Sequence, residues 1–189
     1  MDKNRVILIH GWEGSPERNW FPWLKAELEK SGYDVLSPLM PNADHPKLTE
    51  WLEFLKQAIG EADECVYFVG HSLGVMTILR YLEDLVEGKK AGGAVLVAGF
   101  SETVGYEELE SFFERPLNYE KVRRSAVRFA AVNSDNDPYV PQKFGEILRD
   151  KLGADLTIIE NGGHLNTDAK CFKLPVVLEK INNFAKGRE

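Results

Sequence analysis

The pattern that most constrains this chain is a Gly-x-Ser-x-Gly pentapeptide placed between an apolar run and a helical stripe. Residues 65–69 read Cys-Val-Tyr-Phe-Val, which is typical of a buried strand, and residues 70–74 read Gly-His-Ser-Leu-Gly. Apolar residues then recur at the spacing of one helix face, at Val75, Ile78, Leu79, Leu82 and Val86. The pentapeptide alone is weak evidence. Strand, pentapeptide and helix together predict a nucleophile elbow that exposes the Ser72 hydroxyl at a strand end.

The order of apolar runs along the chain predicts an α/β fold in one domain spanning residues 1–189. Six segments are strand-like, at 6–9, 33–36, 65–69, 92–99, 126–132 and 156–159. Helical patterns alternate with them, which implies a mostly parallel six-stranded sheet in a three-layer α/β/α sandwich. Residues 100–125 exceed the length of one crossover helix, so we expect a small insertion there, above the strand ends.

Composition argues against several classes of partner and site. A net charge of -7 disfavours nucleic acid and anionic membranes as partners, since both attract basic surfaces. No apolar run approaches the ~20 residues that cross a bilayer, and the first residues lack the apolar core of a signal peptide. Cys65 and Cys171 are far apart in sequence and lack metal-ligand spacing. We therefore expect a cytoplasmic protein that needs no metal or cofactor.

A serine hydroxyl needs a base to accept its proton, and the chain offers four histidines. His164 stands on a Gly-rich turn just past the last predicted strand. It should share a sheet edge with Ser72, because parallel strands end together. His10 ends the first strand and is interpreted as structural, His45 lies in a loop, and His71 should point away from the neighbouring serine side chain. His164 is therefore the predicted general base.

The acid that orients this histidine should also follow a strand. The loop after the fifth predicted strand contains Asp135 and Asp137, and Glu160 ends the sixth. We predict Asp137 as the acid, with Asp135 as the competitor and Glu160 as a third candidate. A simpler alternative is an Asx-rich turn, in which both aspartates only accept hydrogen bonds from backbone N–H groups.

The tetrahedral oxyanion formed in acyl transfer needs hydrogen-bond donors close to the serine. The residue after the nucleophile, Leu73, offers its backbone N–H at the start of a helix. The loop after the first strand should supply the second donor, and the backbone N–H of Trp12 is suitably placed. We therefore predict an oxyanion hole formed by the Leu73 and Trp12 backbone.

The motifs together resemble those of the α/β-hydrolase superfamily over the whole chain. They are His-Gly-Trp at 10–12, Gly-His-Ser-Leu-Gly at 70–74, Asn-Asp-Pro-Tyr-Val at 136–140 and Gly-Gly-His at 162–164. The chain order Ser72, Asp137, His164 is also that of the superfamily triad. With Asn-Trp-Phe-Pro-Trp-Leu at 19–24, the chain more narrowly resembles the small single-domain serine hydrolases of the RBBP9/YdeN type.

This resemblance implies a minimal α/β-hydrolase fold and favours Asp137, the aspartate before a proline, as the triad acid. Because the first predicted strand begins near residue 5, we expect the sheet to lack the two amino-terminal antiparallel strands of larger α/β-hydrolases. Members of the RBBP9/YdeN type are described as serine hydrolases or esterases. The resemblance therefore implies hydrolase activity without indicating a natural substrate.

Many aromatic residues fall in or near the loops at the strand carboxyl ends. We expect most of them to be core residues and some to line an acyl pocket, with Trp12 at the site. The set comprises Trp12, Trp20, Phe21, Trp23, Phe100, Phe112, Phe113 and Tyr139.

The sequence thus predicts a carboxylesterase-like serine hydrolase that cleaves small or short-chain esters through an acyl-enzyme on Ser72. The short insertion provides no large lid, which argues against a lipase acting at interfaces. A thioesterase or acyltransferase is the nearer alternative. A protein-binding module on a hydrolase scaffold is the other, because a fold does not fix a function. The expected partner is a small-molecule ester, and no motif indicates a protein partner.

Overall fold

All six strands of the computed structural model lie in one sheet and run parallel, and the structure describes residues 3–187. The strands are β1 (Arg5–Ile9), β2 (Asp34–Leu36), β3 (Val66–His71), β4 (Gly93–Val97), β5 (Phe129–Ser134) and β6 (Asp155–Ile159). The helices are α1 (Phe21–Lys30), α2 (Leu48–Ile59), α3 (Leu73–Glu83), α4 (Tyr119–Arg124), α5 (Lys143–Leu152) and α6 (Pro175–Lys186). A short 3-10 helix, Glu107–Phe112, precedes α4.

Helices cover both faces of the sheet, so its inner strands are buried on both sides. In β1, Ile7 belongs to the hydrophobic core under α2, α3, α4 and α5, whereas Leu8 belongs to the core under α1 and α6. Successive strand residues point to opposite faces, which is why a continuously apolar run suits such a strand. The predicted α/β/α sandwich is confirmed. Within residues 3–187, no helix has the length and apolar character needed to cross a bilayer.

The strand order creates a crevice at the carboxyl ends of β1 and β3. Across the sheet the order is β2-β1-β3-β4-β5-β6, so the chain moves outward from β1 to β2 and then returns to the other side of β1. Loops leaving β1 and β3 therefore diverge toward opposite faces. Ligands of open α/β sheets bind at such a switch point, and both Trp12 and Ser72 follow these two strands.

Strand β5 begins and ends later than the sequence pattern predicts. It spans Phe129–Ser134 rather than 126–132, because Ala126 forms only an isolated bridge outside the strand. Asn133 and Ser134 are consequently buried strand residues instead of loop residues. The loop that follows is shorter than predicted and begins directly at the sheet edge.

The segment 100–125 combines a connection above the strand ends with a crossover helix. Its last part is α4, which packs against α3 and α5 on one face of the sheet. Phe112, at the end of the 3-10 helix, is completely buried. The extent of a separate insertion, and the single domain predicted for residues 1–189, stay predictions.

A buried arginine on α3 fixes the path of this segment. The Arg80 side chain is completely buried and its guanidinium donates hydrogen bonds to the backbone carbonyls of Phe112, Arg115 and Pro116. It also forms an ion pair with Glu83, with 2.9 Å between Nη1 and Oε2. The Arg80 side chain therefore supplies the hydrogen-bond donors for these three backbone carbonyls.

Glu83 completes this network from the next turn of α3. Its carboxylate accepts hydrogen bonds from the backbone N–H of Asn118 and from the Arg80 and Arg115 guanidinium groups. Burial alone would raise the pKa of Glu83, but these hydrogen bonds outweigh it, and the pKa is lowered. The carboxylate therefore stays charged inside the protein and balances Arg80.

Replacing Arg80 with methionine should lower the free energy of unfolding by ~3–5 kcal/mol, because it leaves buried carbonyls and a buried carboxylate short of donors. The measurement is urea unfolding of the purified variant against wild type. Arg124→Met is the matched control, since Arg124 forms an exposed ion pair with Glu120. It should lower stability by about 0.5 kcal/mol or less. Equal losses in the two variants would contradict the anchoring role of Arg80.

Candidate active site

Ser72 lies in a strained turn between β3 and α3. Its φ of 55° and ψ of -121° are rarely adopted by residues other than glycine. Its backbone N–H donates a 2.9 Å hydrogen bond to the carbonyl of Val97, which ties the turn to the end of β4. A strained strand-to-helix turn therefore lies where the sequence predicts the elbow.

Two glycines make the elbow sterically feasible. A Cβ atom on Gly70 would lie 2.8 Å from the backbone nitrogen of Val75, and one on Gly74 would lie 2.3 Å from the carbonyl oxygen of Ile9. Both distances are far below normal contact, and backbone atoms cannot easily move away. Helix α3 thus packs directly on β1 because residue 74 has no side chain.

His164 and Asp137 form a close, buried pair at the carboxyl ends of β5 and β6. The imidazole Nδ1 lies 2.7 Å from the Asp137 Oδ2 atom, and the Asp137 side chain is fully shielded from solvent. The other oxygen, Oδ1, accepts backbone N–H groups from Tyr139 at 2.8 Å and Val140 at 2.9 Å. Since a carboxylate only accepts, Nδ1 carries the proton and Nε2 of the neutral ring is left as an acceptor.

The competing acid, Asp135, has a different contact. Three consecutive side chains at the end of β5 accept three consecutive backbone N–H groups from the turn that precedes His164. The hydrogen bonds run from Asn161 to Asp135 (2.8 Å), from Gly162 to Ser134 (3.0 Å) and from Gly163 to Asn136 (2.8 Å). Asp135 therefore orients the turn rather than the imidazole. The third candidate, Glu160, is exposed.

Two of the remaining histidines have local roles. His10 is buried, its Nδ1 lies 2.8 Å from the carbonyl of Gly11, and its Nε2 accepts the backbone N–H of Met40 at 2.9 Å. Burial lowers its pKa, against the opposing effect of the Gly11 hydrogen bond. The structural interpretation of His10 agrees with these contacts. His45 is exposed and its ring contacts the carbonyl of Asp44.

His71 makes a contact that the sequence did not indicate. Its Nε2 lies 2.9 Å from the backbone carbonyl of His164, although the two residues are 93 positions apart. The two imidazole rings are neighbours, with 4.8 Å between their centres. No local pattern could have revealed this pairing, because it depends on how two distant loops meet above the sheet.

The β1 loop lies directly against Ser72. A Cβ atom on Gly11 would come within 2.9 Å of the Ser72 Cβ and 3.5 Å of its Oγ. Within residues 3–187, neither the Trp12 nor the Leu73 backbone N–H donates a hydrogen bond to another protein group. The Trp12 indole is held from behind by a 3.0 Å hydrogen bond from Nε1 to the carbonyl of Asp44.

Ser72 and His164 line a cavity of about 660 Å³ whose other lining residues are both apolar and polar. The apolar ones are mainly Trp12, Phe100, Val104, Tyr106, Leu109 and Val140, and Tyr139 packs edge-on against the His164 ring. The polar ones are Glu13, Arg18, Asn19, Asn166, Thr167 and Asp168.

The aromatic residues singled out from the sequence divide between the cavity and the core. Trp12, Phe100 and Tyr139 line the cavity. Trp20, Phe21 and Phe112 are buried in the core, and Trp23 and Phe113 pack against it. Tyr106 was missed, since it lies on the long β4–β5 connection, whose path only the folded structure reveals. Among the described residues, no three His, Cys, Asp or Glu side chains are grouped so that they could hold a metal.

Comparison with known sequences shows which protein family the chain belongs to. The family model described as "Serine hydrolase" matches residues 6–183. The YdeN protein of Bacillus subtilis is 35% identical over 183 residues, which is 95% of this chain and 95% of that protein. The serine hydrolase RBBP9 of Rattus norvegicus is 28% identical over 170 residues, or 87% of this chain and 89% of that protein.

Comparison with solved structures agrees with the family found from the sequence. The crystal structure of B. subtilis YdeN superimposes with a TM-score of 0.90 at 33% identity, covering 98% of this chain and all of that one. Est1E from Butyrivibrio proteoclasticus has a TM-score of 0.71 at 15% identity, covering 98% of this chain and 88% of that one, and it shows the fold alone. The chain has the α/β-hydrolase fold and belongs to the serine hydrolase family.

Proposed function

We propose that the protein is a carboxylesterase-like serine hydrolase in which Ser72, His164 and Asp137 act as nucleophile, base and acid. The observation that carries the proposal is the buried 2.7 Å contact between Asp137 and His164, since His164 lines the same cavity as the strained Ser72. A fixed carboxylate beside Nδ1 sets the imidazole tautomer that can accept a proton from a serine. Family membership supports the same chemistry at the level of a hydrolase.

The first half of the reaction transfers the acyl group to the enzyme. Ser72 Oγ attacks the ester carbonyl while its proton moves to His164 Nε2, and Asp137 stabilises the resulting imidazolium. The carbonyl oxygen becomes an oxyanion that accepts hydrogen bonds from the Leu73 and Trp12 backbone N–H groups. Each donor of this kind contributes ~3 kcal/mol of transition-state stabilisation. Collapse of the intermediate breaks the ester C–O bond, and the alcohol leaves with the proton from His164.

The second half returns the enzyme to its starting state. Water attacks the acyl carbonyl, and His164 accepts one of its protons. The C–O bond to Ser72 then breaks, Oγ recovers a proton from His164, and the carboxylic acid departs. Apart from this water molecule, the proposed steps use only groups of the chain and its substrate.

The cavity lining, which includes both apolar and polar residues, supports an ester with an apolar acid and a polar alcohol. His164 must deliver its proton to the leaving oxygen, so the alcohol has to lie beside the imidazole. Asn166, Thr167 and Asp168 begin two positions after His164 in the chain and are polar residues of the cavity lining. The acyl group then faces Phe100 and Leu109, both nearly fully buried, in a cavity whose 660 Å³ suits a small substrate.

Ser72→Ala should lower hydrolysis of p-nitrophenyl butyrate by ~10⁴-fold or more, to near the rate without enzyme, while the fold is retained. The measurement is initial-rate hydrolysis, repeated with acyl chains of increasing length and with the matching thioester. Ser125→Ala is the control, since the Ser125 hydroxyl donates to the Lys121 carbonyl and the residue does not line the cavity. Unchanged turnover in Ser72→Ala would end the proposal, and faster thioester turnover would favour a thioesterase.

Asp137→Asn should lower kcat by ~10⁴-fold, because an amide facing Nδ1 reverses the imidazole tautomer. Asp135→Asn should have a small effect, because asparagine keeps the oxygen that accepts the Asn161 backbone N–H. The two variants carry the same chemical change two positions apart, and steady-state kinetics compares them. The reverse ranking would assign the acid role to Asp135.

A further inference from the structure

The turn that carries His164 has a strained backbone. Asn161, Gly163 and Leu165 all have positive φ angles, of 52°, 55° and 49°. Only one of the three is a glycine, so the conformation is unfavourable in isolation and must be maintained by contacts with the rest of the protein. The β5 side chains described above bind the N–H groups at the start of this turn. Its later carbonyl groups need separate donors.

Two buried ring N–H groups supply these donors. His71 Nε2 lies 2.9 Å from the His164 carbonyl, and because a carbonyl only accepts, Nε2 carries the hydrogen. Trp20 Nε1 donates to the carbonyl of the next residue, Leu165, at 2.9 Å. Trp20 is completely buried and His71 is 4% exposed. Both carbonyls follow the His164 Cα atom in the chain, so these two donors fix the backbone on its carboxyl-terminal side.

The His71 ring is itself held in place. The rings of Trp20 and Phe21 pack edge-on against it, at centre distances of 6.0 and 6.5 Å and interplanar angles of 82° and 87°. It occupies the last position of β3, directly before Ser72. One rigid strand end thus carries both the serine and a donor to the turn of its base.

Histidine is well suited to this position because it donates a hydrogen bond without carrying a charge. Burial first, and the nearby His164 ring second, lower the pKa of His71 to about 3. The ring is therefore neutral at neutral pH. A lysine or arginine would place a cation beside an imidazole that must gain a proton during the reaction, and that would oppose the proton transfer.

We propose that His71 is a positioning residue whose Nε2–H bond to the His164 carbonyl holds the general base in register with Ser72. The proposal rests on the proposed function of His164. The competing interpretation is that His71 only fills space in the core and contributes to stability. The two interpretations differ in what happens when the N–H donor is removed at nearly constant volume.

The test compares His71→Leu with His71→Gln. Leucine keeps an apolar side chain and removes the donor, whereas glutamine places its amide nitrogen the same number of bonds from Cβ as Nε2 of histidine. We expect His71→Leu to lower kcat by ~100-fold with little change in KM, because a shift of about 1 Å in a catalytic group has that effect. His71→Gln should recover most of the rate.

Tyr33→Phe is the control for general loss of stability. It removes one side-chain hydrogen bond, from the Tyr33 hydroxyl to Asn182, far from the cavity. Urea unfolding measures stability for every variant, and kcat should follow the donor at position 71 rather than the free energy of unfolding. Equal kcat in the leucine and glutamine variants would overturn the proposal. If His71→Leu does not fold, His71→Asn replaces it, since its amide is one carbon too short, and activity equal to His71→Gln would be the overturning result.

A second readout separates this proposal from the proposed function. The Nδ1 proton of His164, shared with Asp137, should give a low-field proton resonance in NMR spectra of wild type. His71→Leu should shift or broaden that resonance and His71→Gln should retain it, whether or not the protein hydrolyses esters. An unaltered resonance in His71→Leu would overturn the positioning role. Wild type that hydrolyses esters no faster than Ser72→Ala would instead refute the proposed function.

Discussion

The constraint on which the rest of the structure depends is the contact between helix α3 and strand β1 through Gly74. A Cβ atom at residue 74 would collide with the Ile9 carbonyl. Because glycine has no Cβ atom, the helix can begin immediately after Ser72, and the serine takes a positive φ. The same approach brings Gly11 of the β1 loop against the Ser72 side chain. One steric requirement therefore sets the position of the serine relative to both proposed oxyanion donors.

The opposite side of the cavity depends on hydrogen bonds rather than on close packing. Strand β5 ends in side chains that accept backbone N–H groups from the turn after β6, and Asp137 at the same edge binds the His164 ring. His71 and Trp20 donate to the carbonyls of that turn from the body of the protein. Close packing thus positions Ser72, and hydrogen bonds position His164. Both residues follow parallel strands that end at the same edge of the sheet.

The sequence predicted much of this, because periodic patterns and short motifs are local. The mostly parallel six-stranded sheet and the α/β sandwich followed from such patterns and are confirmed. The nucleophile elbow and the roles of Ser72, Asp137 and His164 stay predictions. What could not be predicted depends on chain-distant contacts. In the sequence, Arg80 looks like an ordinary helix residue. In the structure it is buried and donates hydrogen bonds to backbone carbonyls more than 30 residues away. The later start of β5 likewise depends on how it pairs with β4.

The central claim, that Ser72 is activated by His164, is tested most directly by reaction with a fluorophosphonate probe followed by intact-protein and peptide mass spectrometry. Attack of Oγ on phosphorus displaces fluoride, so an activated serine gains one phosphonyl group. The account predicts a single adduct on the peptide containing Ser72, with none on Ser72→Ala or His164→Ala. A folded wild-type protein that gains no adduct, or that gains it at another residue, would contradict the account and leave the binding-module interpretation in its place.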